Sequence, residues 1–163
     1  MKIRTAEASD VPKLLDIYNY EVLHGTATFD IHPKTLEERM VWFREHNVDN
    51  HPLIVAETEG QVAGYASLSP YREKEAYAAT VELSVYVDAA CRGKGTAAAL
   101  LTEILNMARE RPDIHTVISV ITDGNEVSVH LHEKFGFLYC GTMHEVGEKF
   151  GRKLGIVNYQ LMV

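Results

Sequence analysis

With 163 residues, 46% of them hydrophobic and 24% charged, the chain has the length for one hydrophobic core and not two, so a single domain over 1–163 is expected. A formal net charge of −7 argues against nucleic acid as a partner, because that binding neutralises phosphates with a broad face of Lys and Arg. No apolar run reaches bilayer-crossing length, MKIRTAEASDV turns polar too soon for a signal peptide, and Cys91 and Cys140 form neither a disulfide framework nor a zinc set, so no membrane, no metal and a reducing cytoplasm are expected.

Residues 2–6 read as a short strand. Ser9 reads as the N-cap of a first helix to Leu23, with Pro12 in its first turn and Val11, Leu14, Leu15, Tyr18 and Val22 at helical spacing. HGTATFDIHP (24–33) breaks that pattern and reads as a loop. Thr35, with Glu38 three residues on, predicts a capping box for a second helix to about His46. LIVAET (53–58) and VAGYASLS (62–69) read as strands paired across a turn at Glu59-Gly60. After a polar connection (72–79), TVELSVYVD (80–88) alternates with the period of a strand. A helix over 95–110 ends before Pro112, TVISVIT (116–122) is a buried strand, and a short helix over about 125–135 ends at Gly136. FLYCGTMHEVG and LGIVNYQLMV complete the chain as two strands. The order predicts an α/β (α+β) fold, a mixed central sheet of about seven strands flanked by about four helices.

Between the 80–88 strand and the 95–110 helix lies Arg92-Gly93-Lys94-Gly95-Thr96-Ala97. The glycines free the backbone and clear side chains from a ligand's path. Backbone N–H groups at the helix N-terminus, with Arg92 and Lys94, suit an anion such as a pyrophosphate. This is not a Walker loop. Gly93, Gly95 and Ala98 formally match a dinucleotide fingerprint, but no acid closes the next strand at the required distance. On the loop alone, a phosphate cradle and a plain strand-to-helix turn both remain open.

Arg-x-x-Gly-x-Ala (Arg92, Gly95, Ala97) directly after SVYV resembles the pyrophosphate loop of the Gcn5-related N-acetyltransferase superfamily, and Asn125 in DGNEVSVHLHEKFGF resembles that family's second cofactor-binding segment. TVELSVYV, LHEKFGF and VGEKFGRKLGIVNYQL resemble its phosphinothricin and methionine sulfoximine acetyltransferase branch. The likeness covers nearly the whole chain. It implies acetyl-CoA as acetyl donor, a small amino-acid-like amine as acceptor, direct transfer, detoxification as outcome, and a homodimer.

Glu82 lies mid-strand with apolar neighbours on the opposite face. It is either a solvent-facing strand residue or a buried base, and the resemblance assigns it the catalytic base. By resemblance, the main chain of Val85, Tyr86 and Val87 meets the pantetheine arm, the Val85 N–H faces the thioester oxygen, and residues 92–97 grip the diphosphate. Asn125, Ser128 and His132 share one helix face, which is either a solvated stripe or, as the resemblance implies, a wall for the cofactor; His132 would then donate a hydrogen bond or a proton to the departing sulfur. Val127 and Leu131 are expected on a neighbouring core face. His130-x-His132 is no zinc pair, since helical residues two apart diverge. On the acceptor side, Arg72 suits a carboxylate, Glu75 an ammonium, and Phe29 and Tyr77 could wall a pocket; each has a plain surface or packing alternative. Lys149 and Arg152 could reach the site or a partner subunit. Cys91 reads as incidental. The competing functions are acetylation of a polyamine, an aminoglycoside or a protein N-terminus, and a non-catalytic CoA-binding sensor.

Overall fold

The computed structural model describes residues 1–163. The elements follow the predicted order: β1 (Lys2–Thr5), α1 (Val11–His24), α2 (Leu36–Arg44), β2 (Leu53–Thr58), β3 (Gln61–Pro70), β4 (Thr80–Val87), α3 (Thr96–Arg109), β5 (Thr116–Thr122), α4 (Glu126–Lys134), β6 (Leu138–Lys149) and β7 (Arg152–Met162). The sheet runs β1-β2-β3-β4-β5-β7-β6. Every neighbouring pair is antiparallel except β4 and β5. That exception follows from α3, the crossover that returns the chain to the same end of the sheet.

Local chemistry sets the boundaries. Glu59 and Gly60 both take left-handed backbone angles, φ 53° and 76°, which matches the two-residue hairpin turn that twists with its strands. The first helix does not use Ser9 as its cap. A short 3₁₀ turn over Ala8–Asp10 precedes it, and the Asp10 carboxylate accepts from the Glu7 N–H at 2.8 Å and from Arg4 Nη1 at 2.8 Å. Asp10 thus closes the 3₁₀ turn and α1 starts without a side-chain cap bond; the Arg4 contact that holds Asp10 comes from β1, which sequence spacing does not reveal. At the second helix the capping box is formed as predicted: the Glu38 N–H donates to Thr35 Oγ1 at 3.2 Å, and the Thr35 N–H to Glu38 Oε2 at 2.7 Å. Thr35→Ala is expected to cost about 1 kcal/mol and to lower the melting temperature by roughly 2–4 °C. An unchanged thermal midpoint would show that this cap contributes nothing.

Two cores flank the sheet. The larger packs Leu100, Leu101, Ile104, Leu105 and Ala108 of α3 on Val81, Leu83, Ala66 and Leu68. The smaller packs Leu14 and Ile17 of α1 on Leu53, Val55 and Tyr65. Side chains alternate along a strand. Since Val81 and Leu83 face α3, Glu82, Ser84 and Tyr86 face the α1–α2 side. No helix is long and apolar enough to cross a membrane.

Candidate active site

β4 and β5 pair over only three positions, Thr80–Glu82 against Thr116–Ile118. Beyond Glu82, β4 stays on β3 to Val87, while β5 stays on β7 to Thr122. The sheet forks at Glu82. The Asp88 N–H donates to Ala63 on β3 at 2.9 Å. Successive N–H groups alternate sides in a strand, so those of Val85 and Val87 point away from β3, into the fork. The fork opens into a groove of about 1060 Å³, walled by β4, β5, the N-termini of α3 and α4, and the loop after α1.

At the far end of β4 the chain turns through Gly93 and Gly95, with φ 73° and 80°. A Cβ on either would touch nothing within 4 Å, so glycine is required by backbone angle and not by crowding. No N–H from Arg92 to Ala98 donates to a backbone carbonyl; the first helical bond is Ala99 N–H to Gly95 at 3.0 Å. These free donors converge on the positive end of a 14-residue helix. Gly93, Gly95, Thr96 and Ala97 line the groove, as does Arg92, whose guanidinium pairs with the Glu21 carboxylate. The Lys94 side chain turns aside, with Nζ donating to the Ala90 carbonyl at 3.2 Å, so only its main chain faces the loop's hollow.

Glu82 is half-buried on the groove wall and has no ion pair or hydrogen bond. Desolvation alone pushes its pKa up. A partly desolvated carboxylate with no side-chain partner in the protein has the chemistry of a proton acceptor. Opposite, on β5 and α4, His132 is buried, and burial lowers its pKa while a bond to Ser128 opposes the shift. Its Nδ1 lies 2.7 Å from the Ser128 carbonyl and its Nε2 2.7 Å from Ser119 Oγ. A carbonyl only accepts, so the neutral ring carries its proton on Nδ1, and the Ser119 hydroxyl donates to Nε2. In this tautomer the ring presents no free N–H to a ligand, and Ser119, which also lines the groove, holds its Nε2.

The predicted polar stripe lies on the groove: Asn125, Ser128 and His132 all line it, and Asn125 caps α4 by accepting from the Ser128 N–H at 3.3 Å. Val127 departs from expectation. It is 84% exposed at the groove mouth while Leu131, one turn on, packs against the core; the first turn of α4 projects past the core. Tyr86 and Phe29 line the groove. The Phe29 ring lies flat on Gly147, where an added Cβ would come within 2.4 Å of it.

Arg72, Glu75 and Tyr77 are exposed, and Arg72 stacks on Tyr71 and Tyr77, 5.1 and 5.9 Å from the ring centroids. They hang from the end of the β3–β4 pair where Glu82 lies opposite Ser69, but they do not line the groove within one chain. Arg152 is exposed at the β6–β7 turn. Lys149 is buried, its Nζ donating to the Thr28 carbonyl at 2.9 Å and the Glu21 carbonyl at 3.3 Å. It pins the β6–β7 hairpin to the loop that carries Phe29, a positioning role. Sequence reasoning missed Glu21, Thr28 and Ser119. Only Ser119 left a signal, as the polar residue inside the apolar run TVISVIT. Cys91 and Cys140 are both free thiols.

Residues 15–137 match the acetyltransferase (GNAT) family model. The chain is 39% identical, over 98% of its length and 92% of the other's, to an L-methionine sulfoximine/L-methionine sulfone acetyltransferase of Pseudomonas aeruginosa. It superposes with TM-score 0.94 and 34% identity on a phosphinothricin acetyltransferase of Sinorhizobium meliloti in complex with AcCoA, covering 99% of this chain and 88% of that one. It superposes with TM-score 0.97 and 43% identity, over the whole of both chains, on a ribosomal-protein-alanine N-acetyltransferase of Brucella melitensis. The family match, the full-length likeness and the close superpositions agree, and the chain belongs to the acetyltransferase (GNAT) family, as an acetyl-CoA-dependent N-acetyltransferase.

Proposed function

We propose that the chain acetylates the amine of a small amino-acid-like acceptor of the phosphinothricin, methionine sulfoximine or methionine sulfone type, by direct transfer. The observation that carries this reading is the unpaired, desolvated carboxylate of Glu82 at the fork of β4 and β5, beside the free N–H of Val85. The amides from Arg92 to Ala97 hold the diphosphate, and the Val85–Val87 main chain extends the sheet onto the pantetheine arm. Glu82, directly or through a water, takes a proton from the acceptor's ammonium, and the freed amine attacks the thioester carbon. The Val85 N–H donates to the carbonyl oxygen as it gains charge. As the C–S bond breaks the attacking nitrogen gives up its second proton, and the thiolate leaves toward Ser119; that proton, taken up at His132 Nε2 through the Ser119 hydroxyl, neutralises the sulfur. Asn125 and Ser128 border the cofactor arm, and Phe29 walls the acceptor. Cys91 has no hydrogen-bonded base, which favours transfer without an acetyl-enzyme.

Arg72, Glu75 and Tyr77, outside the groove walls of one chain, meet the acceptor's outer end in the dimer. Arg72→Ala is expected to raise the KM of a carboxylated acceptor roughly tenfold, about the worth of one charged hydrogen bond, with kcat held; an unchanged KM removes Arg72 from recognition. The working form is a homodimer in the cytoplasm. The deciding experiment follows thiol release from acetyl-CoA with phosphinothricin, methionine sulfoximine, methionine sulfone, spermidine, an aminoglycoside and a peptide beginning with alanine. Turnover with the first three and not the last three supports this reading. Preference for the peptide would favour a second one, protein N-terminal acetylation, to which the Brucella melitensis likeness points.

A further inference from the structure

Behind Glu82, on the same face of the sheet, lies a second, open chamber of about 390 Å³, lined by β3, β4, α2, Tyr18 of α1 and the loop that follows it. Ser84 and Tyr86 line both it and the groove, so the two are continuous along β4. The Ser67 and Ser69 hydroxyls add a polar wall; Ser67 lies opposite Ser84, and Ser69 opposite Glu82. Arg39 of α2 forms the floor. It is only 5% exposed, yet no carboxylate lies within ion-pairing distance of it. Its Nη2 donates to the Tyr65 hydroxyl at 2.6 Å, and its Nε is buried without any partner. The rings of Trp42, Tyr18 and Tyr65 surround the guanidinium carbon at 3.4, 4.7 and 5.3 Å from their centroids.

A buried cation without a counter-charge is costly, and cation–π contacts offset only part of that cost. Asp30, Glu38 and Glu45 also line the chamber, but none reaches Arg39: Asp30 accepts from the Tyr18 hydroxyl and lies 3.7 Å from Lys34 Nζ, Glu38 caps its own helix, and Glu45 is exposed. What Arg39 lacks is an oxyanion partner. We infer that Arg39 is an anion anchor, and that the chamber receives a carboxylate or phosphinate of the acceptor while its amine lies at Glu82. This inference deepens the proposed function and rests on it for the acceptor's chemical class. A planar guanidinium presents paired donors suited to such a group.

Trp42 is the chain's only tryptophan, and it stacks on Arg39, so its emission reports occupancy without any turnover. The experiment titrates the full-length protein, free of acetyl-CoA, with phosphinothricin, with methionine sulfone, and with the amine left when methionine sulfone is decarboxylated. A saturable change in Trp42 emission is expected with the acids, and at least tenfold weaker binding for the amine. Response to both acids places the shared carboxylate at Arg39; response to phosphinothricin alone places the phosphinate there; either supports the anchor. Arg39→Met is expected to weaken acid binding at least tenfold while leaving the KM of the amine within about twofold. Ser67→Leu, which fills the chamber and keeps Arg39, should do the same, and it carries the test if Arg39→Met does not fold. Equal binding of acid and amine, or parent-like acid binding in Ser67→Leu, overturns the inference. Turnover of the acids without any Trp42 response would sink the anchor and leave the proposed function standing. A Trp42 response to the acids without turnover would do the reverse.

Discussion

Glu82→Gln is expected to lower kcat by about 10²- to 10⁴-fold near neutral pH, the range spanned by loss of a general base. The parent should lose activity as pH falls through the raised pKa of Glu82, because only the carboxylate takes a proton. The variant should instead gain rate steadily with rising pH, as the acceptor amine loses its proton unaided. Stability should move the other way. Burial raises the pKa of Glu82 in the folded chain, so its contribution to stability is complete below the unfolded carboxylate's pKa and is lost as pH rises through the folded one. At neutral pH the parent holds a desolvated charge that glutamine does not. Glu82→Gln should therefore melt no lower than the parent at pH 7 to 8 while being far slower. A pH–rate profile parallel to the parent's would remove Glu82 as the base. A large drop in melting temperature would show instead that the carboxylate supports the fold.

Gly95→Val is expected to abolish tight binding of coenzyme A. Gly95 is the N-cap of α3 with φ 80°. Left-handed angles cost an ordinary residue about 1–2 kcal/mol, and a β-branched residue is a true outlier there. The turn must then change shape, and the free N–H groups from Arg92 to Ala98 no longer converge. Calorimetry should show at least a roughly tenfold rise in Kd, consistent with that cost. Gly60→Val in the β2–β3 turn is the control. Its φ of 76° imposes the same strain, but it lies outside the groove, so it should cost stability and leave coenzyme A binding intact. If Gly95→Val binds coenzyme A like the parent, the amide cluster is not the diphosphate site.

Opposition to ligand binding is already present in the loop. Glu21 holds the Arg92 guanidinium, and the same residue's carbonyl accepts from Lys149. On the proposed reading a diphosphate would share or take over Arg92, and the Lys149 bonds to the Glu21 and Thr28 carbonyls would tie the loop that carries Phe29 to that end of the groove. Lys149 gains its place here from tertiary structure, because its Nζ meets carbonyls more than a hundred residues earlier in the chain.

The sequence by itself determined the elements, their order and the glycine turn that leads into α3. These are local matters: strand alternation in TVELSVYV, the capping box of Thr35 and Glu38, and the left-handed angles that only glycine tolerates cheaply at positions 93 and 95. It also marked Glu82, a charge inside an otherwise buried strand pattern, though whether that charge met solvent or a groove stayed open. Only the tertiary structure decided that question, since the fork depends on β4 choosing β3 and β5 choosing β7 beyond residue 82. It also decided that His132 faces Ser119, that Val127 is exposed, that Arg72 lies outside the groove walls of one chain, and that Arg39 is buried without an anion. Each of these depends on which side chain meets which across elements far apart in the chain. Periodicity tells which face a residue occupies; the partner on that face is fixed only when the layers pack.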